Sequence, residues 1–172
     1  MNTAILASHG TDNKAGAAAI AALVSAVANS ATDLRVLEAF VDVQNPDVPT
    51  VLGIALEADS AATIAIAPLL LATGYHVRKD IADAATEALD ENPSAQISIV
   101  PALGPDARLV EVLVQRLGEV GYQQGDLVVL AVAGSSDARA QDESRVVQLM
   151  LEEQLGHSVE LAFLSAAEPK LK

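Results

Sequence analysis

The sequence has no cysteine and no tryptophan, two tyrosines and two phenylalanines, and less than half as many basic as acidic residues, 10 against 23. Without thiolates there is no disulfide, no iron–sulfur cluster and no sulfur-ligated metal site. That leaves His, Asp and Glu as the strong ligands and makes a reducing cytoplasm the expected setting. The shortage of Lys and Arg, with a net charge of −13 and a pI near 4.4, argues against nucleic acid and against an anionic membrane surface, since both demand clustered cations. Long apolar runs are missing as well. The most apolar stretch, residues 61–72, is interrupted by Pro68 and is too short to span a bilayer. The segment before His9 has no basic run of the kind that opens a secretory leader.

What is present is small and aliphatic. Hydrophobic residues make up 51% of the 172, with a mean hydropathy of +0.34, so the core must be built from Ala, Val, Leu and Ile. Short apolar runs at 3–8, 34–41, 62–68, 96–101, 126–133 and 158–165 read as buried strands. Between them, stretches near 13–29, 48–58, 78–91, 105–120 and 137–155 have helical spacing. Strict alternation of strand and helix means parallel pairing through right-handed crossovers. Pro49 and Pro105 fall where first-turn prolines are tolerated, and Gly156 follows the fifth helix as a C′ glycine would. The expectation is an α/β fold: a four-stranded parallel sheet flanked by helices over residues 1–122, then an incomplete strand–helix–strand repeat over 123–172.

That repeat is legible residue by residue. I-L-A-S-H-G-T-D at 5–12 and V-L-A-V-A-G-S-S-D at 129–137 each end an apolar run in Gly, a hydroxyl residue and an Asp, so His9 corresponds to Ala133. E-A-F-V-D-V-Q-N-P at 38–46 matches E-L-A-F-L-S-A-A-E-P at 160–169, which sets Asp42 against Ser165. The two landmarks are 33 positions apart in the first copy and 32 in the second, as duplication of a structural unit requires. Chemistry is therefore expected on the first copy.

Ligand sites of open parallel sheets lie beyond the carboxyl ends of the strands. His9 directly follows the first strand, Asp42 the second, and His76 closes the loop after the third, so three potential metal ligands emerge at one edge. A lone His after a strand is commonly a loop residue or a helix cap; two of the chain's three at one edge favour a shared role. His157, in a Gly-His-Ser turn at the other edge, reads as a surface residue. Asp42 fits a metal ligand, a partner for a Lys or a helix N-cap. Gly10 and Gly74 belong to neither a G-x-G-x-x-G nor a G-x-x-x-x-G-K motif. Ser8 stands where a histidine phosphatase would carry an Arg before its nucleophile, so phosphoryl transfer is not expected.

P-L-L-L-A-T-G-Y-H-V-R-K-D-I at 68–81, with S-H-G-T at 8–11, A-F-V-D-V-Q-N-P at 39–46 and A-L-G-P at 102–105, resembles the sirohydrochlorin chelatases across essentially the whole chain. The resemblance implies a chelatase-like, flavodoxin-like sheet and ATP-independent insertion of Co²⁺ or Fe²⁺ into sirohydrochlorin, in cobalamin or siroheme biosynthesis. The divalent metal is then a substrate, and no organic cofactor is implied. His9 and His76 carry over as metal ligands facing a cleft between lobes, with Asp42 assisting at a position where the family usually has Glu. Gly74, Arg78 and Lys79 are the expected contacts for the tetrapyrrole and its carboxylates, the last two at a helix N-terminus that favours anions. A solvated first turn is the plainer reading of that pair. Family members are two-lobed chains or short forms that dimerise, so a homodimer is a possible assembly. A metal-delivery module without turnover, or a non-catalytic tetrapyrrole binder, fits the same residues, and two imidazoles do not discriminate cobalt from iron.

Overall fold

The computed structural model describes residues 2–72, 74 and 77–172, the side chains of Val77 and Arg78 excepted. The chain forms two compact units: the described residues of Met1–Leu70 and His76–Ala102 make one, those of Leu71–Tyr75 and Leu103–Lys172 the other. In the first, β1 (Thr3–Ser8), β2 (Arg35–Phe40), β3 (Thr63–Pro68) and β4 (Gln96–Ile99) form a parallel sheet in the order β2-β1-β3-β4. The strands are joined by α1 (Lys14–Ser30), α2 (Val48–Ala58) and α3 (Ala82–Glu91), the last entered through a π-helical turn at Val77–Ile81. Val51, Leu52, Ala55 and Leu56 put one face of α2 onto Ile5, Ile64 and Ile66 of the sheet. Fully burying each Ile or Leu there contributes roughly 2 kcal/mol. Ala84 and Ala85 of α3 join the same cluster, their short side chains letting the helix lie close on a sheet with few aromatics.

Local chemistry sets the helix starts. Asn13 caps α1 by accepting from the amides of Ala15 and Gly16, and Asp47 caps α2 by accepting from the amide of Thr50 at 2.9 Å. Pro49 sits in the first turn of α2 as expected. Pro105 does not play that part: Asp106 is the N-cap of α4 (Ala107–Glu119), so the proline lies outside the helix. Nor is Asp42 an N-cap, since Asp47 fills that role five residues later.

The second unit pairs β5 (Val128–Val132) with β6 (Val159–Phe163) in parallel, linked by α5 (Ala138–Leu155). Gly156 ends α5 with φ +75°, the left-handed C′ position foreseen for it. α4 belongs to this unit. Its Val110 is fully buried against Val128, Leu151, Leu155 and Val159, with Leu113, Val114 and Leu117 packed alongside, an i, i+3, i+4, i+7 stripe. The structure thus groups α4 with residues 103–172, whereas the sequence reading grouped it with residues 1–122. His157 is also better anchored than its turn suggested: half-buried, it meets the Tyr122 hydroxyl through Nε2 at 2.5 Å and the Ser158 carbonyl through Nδ1 at 2.8 Å.

The two copies match in backbone detail. Val41 N–H donates to the Ser8 carbonyl at 2.8 Å and Asp42 N–H to the His9 carbonyl at 3.0 Å; Leu164 and Ser165 donate to Val132 and Ala133 at the same two distances. Gly10 (φ +90°) and Gly134 (φ +95°) lie so close to the carbonyl oxygens of Asp42 and Ser165 that a Cβ at either place would collide with them. Only glycine satisfies both the positive φ and the close approach. In each copy the following hydroxyl, Thr11 or Ser135, accepts from the amide of the helix N-cap at 3.1 Å. The cap is Asn13 in one and Asp137 in the other, so Asn13, not Asp12, is the counterpart of Asp137.

Candidate metal and substrate site at the carboxyl edge of the sheet

The parallel register aligns the ends of three strands in the first unit. Ser8 is level with Phe40, and Ala7 with Pro68. Beyond Ser8 and Phe40 the ladder continues for two more hydrogen bonds, the second from Asp42 N–H to the His9 carbonyl. The predicted pair, His9 and Asp42, is therefore brought together, and both residues are exposed at this edge. On the far side of β1, Leu69 N–H donates to the Ala7 carbonyl at 2.7 Å, so the loop after β3 starts at the same edge.

The loop after β2 is tightly wound. Gln44 N–H reaches back to the Asp42 carbonyl at 2.6 Å around Val43, whose φ is +59°. That region is disfavoured for a β-branched residue and stores strain. Asp42 Oδ1 accepts the Val43 amide at 2.8 Å, which leaves Oδ2 to meet a cation. A second tie crosses between loops: Thr11 N–H donates to Gln44 Oε1 at 2.8 Å. Sequence reasoning gave Gln44 no role. The signal was available in its counterpart, Ala167, which has no side chain to make such a bond.

The remaining predicted residues divide. His76 lies outside the described residues, as does the side chain of Arg78. Lys79 opens α3 through the π-helical turn, and its Nζ pairs with Asp83 Oδ2 at 2.7 Å across one turn, both side chains more than half exposed. An exposed pair of this kind is worth little. Gly74 is half-buried in the second unit, its amide bonded to the Ala72 carbonyl at 3.0 Å and its Cα side turned toward Ser135 Oγ. Among the described residues no cluster of three His, Asp or Glu stands ready for a metal. A cavity of about 160 Å³ at this edge, lined by Phe40, Val41, Asp47, Pro49 and Asp80 among others, is too small for a tetrapyrrole, which needs several hundred Å³. No described helix is long and apolar enough to cross a membrane.

Comparison with known proteins agrees with this architecture. The chain is 29% identical over 176 residues to the sirohydrochlorin ferrochelatase of Priestia megaterium, covering all of this chain and 65% of that protein. It is 32% identical over 81 residues to the sirohydrochlorin cobaltochelatase of Sulfurisphaera tokodaii, covering 47% of this chain and 63% of that one. The structure of SirB from Bacillus subtilis with Fe³⁺ superposes with a TM-score of 0.86 at 26% identity, covering 99% of this chain and 68% of the other. The chain thus spans between about half and just under two thirds of the length of the curated relatives it matches. Residues 3–120, well over half of the sequence, match the CbiX family model. The protein belongs to the CbiX family, that of the sirohydrochlorin chelatases.

Proposed function

We propose that the protein inserts Co²⁺ or Fe²⁺ into sirohydrochlorin, with the metal as substrate and no organic cofactor. One observation carries this reading. The chain holds two copies of one strand-end frame with the same hydrogen bonds, and only the first has a His and a carboxylate at the two hydrogen-bonded strand-end positions, where the second has Ala133 and Ser165. The fold does not need them, since Ala133 and Ser165 support the same backbone.

Insertion exchanges two pyrrole N–H protons for one M²⁺, so the site must deliver a partly desolvated cation and accept protons. His9 and His76 serve as ligands, one doubling as base. A neutral imidazole suits borderline ions and, with a pKa near 6.5, exchanges protons at neutral pH. Asp42 assists through Oδ2. Arg78 and Lys79, at the start of α3, offset the chain's negative charge for a polycarboxylate substrate, and Gly74 leaves room for its close approach. A second copy of the chain is the macromolecular partner to test for, by solution mass. The relatives from Priestia megaterium and Sulfurisphaera tokodaii are named for iron and cobalt respectively, so both metals belong in the assay.

The test is ATP-free insertion into sirohydrochlorin followed by visible absorbance, with solution mass measured alongside. His9→Ala and His76→Ala should each slow it by more than about 100-fold, beyond the loss typical of residues behind a metal ligand. Unchanged rates would remove the catalytic assignment. Metal binding without insertion would make the protein a delivery module.

A further inference from the structure

Side chains at the site edge with shorter or apolar counterparts in the second copy include Ser8 against Val132, His9 against Ala133, Asp42 against Ser165 and Gln44 against Ala167. Gln44 is set apart by what it holds. It lies two residues after Asp42, and it accepts the amide of Thr11, two residues after His9, at 2.8 Å across 33 positions of sequence. The structure assigns Gln44, we infer, as the positioning residue that fixes the His9 loop against the Asp42 loop. This assignment rests on the reading of His9 and Asp42 as the metal-handling pair.

Three observations support it. Gly10 lies against the Asp42 carbonyl, so displacement of either loop is felt by the other. Val43 is held at φ +59° between Asp42 and Gln44, and a β-branched residue in that conformation relaxes unless its surroundings prevent it. The second copy has Ala166 at φ +54° in the same place, an easier residue to hold there, and it dispenses with the tie. The larger strain and the tie therefore occur together in the first copy, while the second has the lesser strain of an alanine and an Ala167 that cannot make the tie. Residues that orient metal ligands typically change affinity by about 10–100-fold when removed.

The experiment compares wild type, Gln44→Ala, Gln44→Glu and His9→Ala by Co²⁺ titration, thermal melting and insertion kinetics. Alanine is the second copy's own residue, so Gln44→Ala should melt within a few degrees of wild type. It should bind Co²⁺ about tenfold more weakly and lower kcat at saturating Co²⁺ while leaving KM for the tetrapyrrole within about twofold. Gln44→Glu keeps an acceptor oxygen at the same reach and should restore both affinity and kcat. Wild-type Co²⁺ binding in Gln44→Ala, or a glutamate variant as weak as the alanine variant, would overturn the assignment. So would a Gln44→Ala protein that unfolds at assay temperature, because the tie would then be a fold requirement. If His9→Ala itself binds Co²⁺ normally, the metal reading fails and Gln44 falls with it. If His9→Ala loses the ion and Gln44→Ala does not, only the Gln44 assignment falls.

Discussion

Ser8 is 3% exposed and its Oγ has no hydrogen-bond partner among the described residues, while the equivalent strand position in the second copy holds Val132. A buried hydroxyl left without a partner costs about 1–3 kcal/mol. Ser8→Ala should therefore raise the unfolding free energy by about 1 kcal/mol, read as a higher urea midpoint with an unchanged slope; a loss of similar size would mean the hydroxyl is bonded in solution. At this scale the sequence was readable at the strand ends, where the structure brings His9 and Asp42 side by side. His9 and Asp42 stood out because each follows an apolar run and each has a blank counterpart in the second copy. The bonds of Gln44 and His157 leave no local pattern, since their partners, Thr11 and Tyr122, lie 33 and 35 positions away; for Gln44 only the comparison with Ala167 carried a trace.

Strands and helices follow the period of their apolar residues closely, and four helices are opened by an Asn or Asp cap: Asn13, Asp47, Asp106 and Asp137. The π-helical turn before α3 leaves no such trace, because Val77–Ile81 has the same spacing as an ordinary first turn. Of the caps, Asp47 matters most to the site lobe, since α2 supplies much of its core. The hydroxyl of Thr50, and then its amide, hold the Asp47 carboxyl below its ordinary value of 3.8. A folded-state value below the unfolded one means that the cap contributes fully above about pH 4 and fades as pH falls through the lowered value. Asp47→Ala should cost about 1 kcal/mol at pH 7 and progressively less below pH 3.8, whereas Asp47→Asn should cost little at either pH; urea unfolding at both pH values checks this. An alanine variant whose deficit persists undiminished in acid would show that the carboxylate is not what caps α2. On α4, the side chain of Arg108 and then its amide bring Asp106 down to about 2, so the α4 cap should outlast that of α2 on acidification.

For the molecule as a whole, duplication was legible because both copies keep a Gly pressed against a carbonyl, a constraint that survives sequence drift. The grouping of α4 was not, because an apolar stripe tells which face is buried and not against what; Val110 finds Val128 and Leu151 rather than the first sheet. On the function proposed above, one copy carries the metal chemistry and the other is only a frame. Co²⁺ titration of wild type, His9→Ala and His157→Ala, followed by visible absorbance, tests it most directly. The prediction is one ion per chain in wild type and in His157→Ala, and binding weakened by more than about 100-fold in His9→Ala. Full binding by His9→Ala, or loss of the ion in His157→Ala, would contradict it.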